Sequence, residues 1–327
     1  MDYVILLTAA ALLSVCFVTN KLYEREAGTS LRAGFSFNVM LGALATVIFF
    51  CIGGFTFRIT PYSMIMATLL TVLVVTYTLL GFRILKDGSV SVYTLFLMSG
   101  GMTVPYVYGI LFLGEDFTAK RTVGIVLLIC AVALSNFKGK GERVKLGNIL
   151  MCVAVFFLNG FVSVTSKVHQ EGFGAFTDEA SGVFPHVDTA HFVMLSGIAK
   201  VAVCGSVLLI LTLIRYIKAK KSAPVSDNSG IDSGSDEKKS TDATFSFARS
   251  WRRLVPIIVM AAVLDSVSYF LQLKGAENLP ATVLYPMVTG ASIVFMPIVA
   301  FIAFREKPTK YIIISVCLSF VATLLFL

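Results

Sequence analysis

The sequence predicts an all-α integral membrane protein with ten transmembrane helices arranged as two inverted five-helix repeats. Three observations lead to this fold class. Hydrophobic residues make up 57% of the 327 residues and charged residues only 14%, whereas charged residues are about a quarter of a typical soluble domain. Apolar segments of about 20 residues recur along the chain, and each is long enough to cross a hydrocarbon core of about 30 Å as a helix. The second half of the sequence also repeats the pattern of the first.

The apolar segments define ten expected spans. They lie at approximately residues 3–20, 33–57, 61–82, 89–113, 120–137, 146–166, 190–216, 254–273, 280–304 and 309–327. The first segment is preceded by Asp2 and followed by Lys21, whereas a secretory signal has positive charge before its apolar run and a cleavage site after it. We therefore expect this segment to be retained as a span. The six cysteines all lie inside apolar segments and form no Cys-x-x-Cys pair, which is typical of buried apolar side chains.

An internal repeat accounts for the ten spans as five plus five. Glu115 aligns with Glu306 at a shift of 191 positions, and the same shift aligns the apolar segments on either side of them. Near the start of each half, VTNKL at 18–22 aligns with VTSKV at 164–168. Because five is an odd number, the two halves enter the membrane from opposite sides. Inverted repeats of this kind are a feature of secondary transporters, whose substrate site lies near the bilayer midplane between the halves.

The repeat divides the chain into three parts. The first five-helix repeat covers residues 1–137, a linker loop covers 138–145, and the second repeat covers 146–327. The second repeat carries two inserted loops, at 169–189 and 217–253. The latter contains a polar, low-complexity stretch without apolar periodicity, and this composition predicts a flexible connector rather than a folded regulatory domain.

Positive charge gives an expected orientation. Most of the 27 Lys and Arg residues lie in the loops after spans one, three, five, seven and nine, and this bias survives when the long loop after span seven is discounted. Cytoplasmic loops carry the excess of Lys and Arg, so these loops are expected to be cytoplasmic and both termini outside. The net charge of +8 therefore indicates orientation rather than nucleic-acid binding.

The doubled unit resembles the EamA-type half of the drug/metabolite transporter (DMT) superfamily. The resemblance depends on GILFLGEDFTAKRTVGIVLLICAVAL at 109–134, on VAFIAFREKPTKYIIISVCLSFVATLL at 299–325, and on Leu-Pro-Ala-Thr at 279–282. It covers nearly the whole chain apart from the two inserted loops. The resemblance implies a carrier of small metabolites or drug-like solutes in the plasma membrane of a bacterium. Ten-helix members of this superfamily are usually described with both termini in the cytoplasm, which is the reverse of the orientation that the charge bias predicts.

Ionisable and polar residues inside apolar spans are costly and usually face a cavity or a partner. Span eight places Asp265, Ser268, Tyr269 and Gln272 at i, i+3, i+4 and i+7, on one face of the helix. We interpret Asp265 as a carboxylate that binds a cationic group or carries a proton, with a structural ion pair as the alternative. Its repeat counterpart is Val74, so this acid is not part of the duplicated scaffold.

Span seven contains the other deep charge, Lys200. This lysine could pair with the acid of span eight or meet a carboxylate or phosphate of the substrate. Span six places Asn159 and Ser163 on one face together with Ser166 and Lys167. Lys167 aligns with Lys21 of the first half, and lysines at such matching helix ends either attract anions or anchor the helices at the membrane interface.

Spans four and nine carry matching stripes at i, i+4 and i+7. The stripes consist of Ser99, Thr103 and Tyr106 in span four and of Tyr285, Thr289 and Ser292 in span nine. The tyrosines are candidates for the site because a buried hydroxyl needs a partner. The adjacent Gly-containing patches favour helix packing.

The remaining charged clusters are assigned no binding role. Glu115 and Glu306 lie in short turns, where an acid stabilises the start of a helix, with proton coupling as the alternative. The three histidines lie in or beside the loop at 169–189 together with several acids, but their spacing matches no metal-ligand pattern, and no metal is expected.

A secondary carrier working by alternating access, with proton coupling through Asp265, is the leading hypothesis. The alternative is a channel, an ion permease or a lipid-handling protein built on the same helices. No Walker motif or Gly-rich phosphate loop is present, no catalytic His/Asp or Ser/His cluster is recognisable within the spans, and no cofactor is expected. The expected partners are membrane lipid, a small-molecule substrate and, as an open alternative, a second copy of the chain. The candidate side chains would suit a zwitterion and equally many other solutes.

Overall fold

The computed structural model describes residues 2–27, 30–87, 90–135, 146–171, 185–222, 236–305 and 309–326. These residues form α-helices joined by short links, with no strand among them. The helices are α1 (Asp2–Ala27), α2 (Leu31–Ile52), α3 (Pro61–Asp87), α4 (Val90–Phe112), α5 (Ala119–Ser135), α6 (Leu146–Glu171), α7 (Thr189–Ser222), α8 (Asp236–Asn278), α9 (Ala281–Phe304) and α10 (Lys310–Leu324). The predicted all-α fold is confirmed, and the expected linker at 138–145 lies outside the described residues.

Eight segments of these helices are long and apolar enough to cross a membrane. They lie in α1 to α4 and in α6 to α9. The helices α5 and α10 have 17 and 15 residues and reach about 26 and 22 Å at a rise of about 1.5 Å per residue, which is less than the hydrocarbon thickness of about 30 Å. A multi-pass membrane protein therefore fits the eight long helices, since a helix satisfies its own backbone hydrogen bonds in lipid.

The helices beside the two expected loops extend further than the sequence indicates. Helix α6 continues to Glu171, and Lys167 and Glu171 pair at 2.5 Å across one turn of it, so residues 169–171 of the loop expected at 169–189 are helical. The loop expected at 217–253 is wrong at both ends, since α7 continues to Ser222 and α8 begins at Asp236. Helix formation is cooperative, so a polar flank adds to an apolar helix at little cost. Residues 172–184 and 223–235 lie outside the described part of the chain.

The long helices pack in corresponding sets. Helix α1 packs on α8 and α9, and we call these three helices the first group. Helix α6 packs on α3 and α4, and these form the second group. The two groups correspond when every helix is exchanged for the one five places away. Helix α2 packs on α7 and α5 on α10, so those pairs map onto themselves.

Glycines allow several of these helices to pack backbone to backbone. A Cβ atom added to Gly100 of α4 would lie 2.0 Å from the carbonyl oxygen of Phe156 in α6, and one added to Gly42 of α2 would lie 2.7 Å from the carbonyl oxygen of Gly197 in α7. Small residues let membrane helices approach closely. The patch that contains Gly100 therefore serves packing, as its sequence favours.

Candidate functional site

A cavity of about 610 Å³ lies among the long helices, with walls from both groups and from α2 and α7. Ten of the residues named from the sequence are the candidates for substrate binding, and eight of these ten line the cavity. They are Asn159, Ser163, Lys200, Asp265, Tyr269, Gln272, Tyr285 and Thr289. These residues come from α6, α7, α8 and α9, so helices that are distant in sequence meet at one site.

The ion pair of the cavity wall joins α7 to α8. Lys200 Nζ lies 3.3 Å from Asp265 Oδ2, and the two side chains are 23% and 34% exposed. Each charge on its own would be costly in a membrane interior, and pairing offsets part of that cost. Both side chains still face the cavity, so the wall presents a cation and an anion next to each other, with no net charge.

The polar stripe of α8 divides between the cavity and a neighbouring helix. Asp265, Tyr269 and Gln272 line the cavity, and the hydroxyls of Tyr269 and Ser166 share a hydrogen bond of 3.1 Å. Ser268 is fully buried and donates to the carbonyl oxygen of Ala9 in α1 at 2.9 Å. This serine therefore attaches α8 to α1, and it positions the stripe without lining the cavity.

Hydrogen bonds fix α6 in the cavity wall. Asn159 Nδ2 donates to the carbonyl oxygen of Leu97 at 2.8 Å, and Ser163 Oγ donates to that of Gly101 at 3.2 Å. Tyr285 of α9 donates to the carbonyl oxygen of Ser163 at 2.5 Å. These bonds tie α6 to α4 and α9, so the side chains are held in place before any solute enters.

Ser196 is a hydroxyl in the cavity wall that sequence reasoning did not select. It lies one turn before Lys200 on α7, and it is buried, with no hydrogen-bond partner for its Oγ among the described residues. A buried hydroxyl without a partner costs about 1–3 kcal/mol. Its position beside the ion pair makes it available to hydrogen-bond a solute.

Ser99 and Tyr106 are the two candidates that the structure does not bring to the cavity wall. The hydroxyls of Tyr106 and Thr122 share a hydrogen bond of 2.9 Å, and the tyrosine is buried in the same apolar core cluster as Leu128 of α5. Ser99 is buried and its Oγ has no partner among the described residues. Helix α4 instead turns an apolar face to the cavity, which consists of Leu97, Met98 and Gly101.

The first half contributes polar residues that were missed. They are Asn20 in α1, Asn38 in α2, and Tyr77 and Thr78 in α3. The repeat offers a signal that could have found this surface, since the counterparts of second-half candidates also line the cavity. Leu13 corresponds to Asn159 and Val74 to Asp265, and both lie in the wall.

The cavity extends to one face of the helix bundle and ends short of the other. It reaches the exposed Ser30 at the start of α2, and we call that side the Ser30 face. At its other end it stops at Gln272 and Tyr285, within two turns of the link between α8 and α9. We call that side the Glu115 face, because it contains the links α2–α3, α4–α5 and α8–α9. Among the described residues, the cavity is therefore open towards the Ser30 face.

The histidines and Glu115 have structural partners at the Glu115 face. His169 is fully buried in α6, stacks on Phe192 at 3.5 Å and shares a hydrogen bond of 2.9 Å with Ser63. Across the described residues, no three His, Cys, Asp or Glu side chains are arranged to hold a metal ion. Glu115 accepts hydrogen bonds from the backbone N–H groups that begin α9. It thus stabilises the start of α9 rather than that of the next helix, α5; Glu306 lies outside the described residues.

One carboxylate outside the spans is held in its charged form. Burial alone would raise the pKa of Asp188. The hydrogen bond and charge of His191, at 2.5 Å, together with backbone N–H groups, hold that pKa below its ordinary value. The pair lies where the chain enters α7, so it fixes the start of the helix that carries Ser196 and Lys200.

Comparison with known proteins shows the fold and nothing more specific. No family model and no curated protein matches the chain. Among solved structures, 28 chains match. One of them, described as "Crystal structure of protein", is 13% identical with a TM-score of 0.68, and the match covers 99% of this chain and 97% of that one. The chain therefore shares an entire fold with that protein, and at this identity the likeness carries no function.

Proposed function

We propose that this protein is a secondary membrane transporter of small metabolites or drug-like solutes that works by alternating access. The observation that carries the proposal is the cavity of about 610 Å³, which lies between two corresponding helix groups, holds an ion pair in its wall and, among the described residues, is open towards one face only. Carriers of this kind bind their substrate at the interface between repeats and expose it to one side at a time.

The finer architecture belongs to the same proposal. We take α5 and α10 as two further spans, which gives ten, and the two groups as the product of an inverted repeat. The corresponding packing of α1 on α8 and α9 and of α6 on α3 and α4 supports this. The resemblance to EamA-type members of the DMT superfamily points the same way. A reporter fused after Leu327 would test the orientation that the charge bias predicts, in which the Ser30 face is cytoplasmic.

Solute recognition is assigned to the cavity wall. Lys200 and Asp265 supply the charges, and Ser196, Tyr269 and Thr289 supply hydroxyls. A solute that binds the folded state raises its apparent stability, so a thermal-shift screen on purified protein identifies candidates. Anionic, cationic and zwitterionic solutes belong in the screen, since the wall carries one charge of each sign.

The carrier mechanism is tested by counterflow in proteoliposomes. A solute found in the screen is loaded inside the vesicles, and uptake of labelled solute from outside is measured. A carrier gives trans-acceleration, because its loaded form returns across the membrane with solute bound. A channel, an ion permease or a lipid-handling protein gives none, and that result would replace the proposal by this alternative.

Asp265 is the proposed proton-coupling residue. Protonation of its carboxyl would break the ion pair with Lys200, 3.3 Å away. It would also change the charge of the cavity wall that contacts the solute. We expect Asp265→Asn to abolish pH-driven flux and to leave counterflow at constant pH measurable. The matched control is Asp116→Asn, which changes an exposed acid in the α4–α5 link. Unchanged pH-driven flux in Asp265→Asn would remove the coupling role.

A further inference from the structure

Hydrogen bonds between the two helix groups close the cavity at the Glu115 face. Next to the cavity, Tyr285 of the first group bonds to Ser163 of the second at 2.5 Å, and Tyr269 bonds to Ser166 at 3.1 Å. Two stronger, charge-assisted contacts lie beyond them, and both are made to the turn between α8 and α9. Helix α6 packs mainly on α3 and α4, and α8 and α9 pack on α1, while α4 and α9 pack directly on each other. These hydrogen bonds therefore add polar contacts between two groups that already touch through α4 and α9.

The first charge-assisted contact is made by Lys167 of α6. Its side chain has an exposed fraction of 0%, and its Nζ donates to Glu171 Oε1 at 2.5 Å and to the carbonyl oxygens of Ala276 and Leu279 at 2.8 and 2.6 Å. The carbonyl of Ala276 cannot accept the usual helical bond from four residues ahead, since that residue, Pro280, has no N–H. The ammonium group therefore satisfies the carbonyl end of α8, where positive charge is favourable.

The second contact is made by Glu115, which follows α4. Its Oε1 accepts from the N–H of Ala281 at 2.6 Å and its Oε2 from that of Thr282 at 2.7 Å. These are free N–H groups at the start of α9, where negative charge is favourable. Gly109 makes room for the carboxylate, because a Cβ atom at that position would lie 2.6 Å from Oε2. The turn is thus held between a cation and an anion that both come from the second group.

The lysine at the Ser30 face differs from Lys167 in its burial. Lys21 is the counterpart of Lys167 in the first half of the sequence, and it lies at the Ser30 face with its side chain exposed. Its neighbour Asn20 lines the open end of the cavity. The lysine at the closed end is fully buried and bonds to the α8–α9 turn, whereas the side chain of the corresponding lysine at the open end is exposed.

We propose that Lys167 and Glu115 form the gate that closes the cavity at the Glu115 face. Each bonds the α8–α9 turn of the first group to the second group, so the cavity opens on this side only when the turn is released. The gate is defined by Lys167, Glu115, Ala276, Leu279, Ala281 and Thr282. This inference rests on the proposed transport function, because only a carrier has to open that face.

The test measures from which side a cysteine in the cavity can be reached. Thr289→Cys supplies the reporter in the full chain, and a membrane-impermeant sulfonated maleimide is added to vesicles of known orientation. Labelling of the chain without the reporter is subtracted, which removes the contribution of the native cysteines. With the native gate, we expect fast labelling from the Ser30 face and slow labelling from the Glu115 face.

Replacing Lys167 should change the face of the protein from which the reporter cysteine is labelled. Lys167→Met is expected to raise the labelling rate from the Glu115 face by roughly tenfold, the order expected when a charged hydrogen-bonding group is lost from one of two states. Lys274→Met is the matched control. It also removes a lysine from an ion pair at this face, but its partner Glu277 lies on the same helix, at 2.9 Å. We expect Lys274→Met to leave the labelling rates from both faces unchanged.

Unchanged labelling in a folded Lys167→Met variant, as judged by gel filtration, would overturn the inference and make the lysine a permanent cap of α8. If that variant does not fold, Glu115→Gln decides instead. It keeps one acceptor oxygen, so a smaller rise supports the gate and no rise overturns it. The labelling needs no solute and is therefore independent of counterflow. If the protein shows counterflow but Lys167→Met does not change the labelling rate, the transport proposal stands and the gate is refuted. If Lys167→Met changes the labelling rate but the protein shows no counterflow, the transport proposal is refuted.

Discussion

The ion pair of the cavity wall is the most direct point at which to perturb the candidate site. Asp265→Asn leaves the ammonium of Lys200 without its charged partner, 3.3 Å away, and Lys200→Gln does the converse. At an effective dielectric constant of about 20, two unit charges at this distance attract by about 5 kcal/mol. The side chains are 23% and 34% exposed, so water in the cavity screens them. We therefore expect a coupling energy of about 1–2 kcal/mol.

A double-mutant cycle measures this coupling. The free energies of unfolding of the native chain, both single variants and the double variant are compared by reversible SDS titration in mixed micelles. The double variant should be less destabilised than the sum of the single variants by about 1–2 kcal/mol, because the second substitution removes a charge that the first left unpaired. The pair of Lys274 and Glu277 provides a control cycle, and its coupling should stay below about 0.5 kcal/mol, as for other pairs within one helix.

Additive effects at the first pair would refute the reasoning. If the double variant equals the sum of the single variants within about 0.5 kcal/mol, the two charges do not stabilise each other in the folded protein. The wall would then contain two separately solvated charges. A solute would meet them as independent binding groups, and protonation of Asp265 would no longer release Lys200.

Two further predictions concern the scaffold. Gly100→Ala should destabilise the protein by about 1–3 kcal/mol in the same titration, because the new methyl group would meet the carbonyl oxygen of Phe156 at 2.0 Å; Gly205→Ala, where nothing lies within 4 Å, should not. The lowered pKa of Asp188 adds stability that is complete above the ordinary pKa of about 3.9 and is lost as the pH falls through the depressed value. Thermal-shift curves of the native chain and Asp188→Asn should therefore differ at pH 6 and converge at lower pH; a constant difference would contradict the assignment.

Much of the candidate site follows from one rule about membranes. A strongly polar side chain within an apolar helix is expensive in lipid, so it faces a cavity or a partner. This rule selects Asp265 and Lys200, and both line the cavity. It works here because each is an isolated charge in a long apolar run, where the cost of facing lipid outweighs the local packing preferences.

The same rule is weaker for uncharged residues. Asn38 and Tyr77 line the cavity although no stripe of polar neighbours marks them, because a single amide or hydroxyl in a span faces a helix neighbour as readily as a cavity. Ser196 gives no signal for the same reason. Its role depends on the ion pair beside it, and that pair forms only when α7 and α8 pack together.

The sequence by itself determined that the chain forms apolar helices. Length and hydropathy are local properties, and a backbone in lipid must satisfy its hydrogen bonds within the helix. The boundaries of α7 and α8 were less determined, because a polar flank extends a helix at little cost once the apolar part has formed.

Only the tertiary structure decided which face of each helix turns inward. The stripe that begins at Ser99 in α4 and the stripe that begins at Tyr285 in α9 have the same i, i+4, i+7 spacing, yet Tyr285 and Thr289 line the cavity and Tyr106 does not. Periodicity fixes which side chains share a face of a helix. The rotation of that face depends on close contacts with distant segments, such as that of Gly100 with the backbone of α6, and no local pattern encodes such a contact.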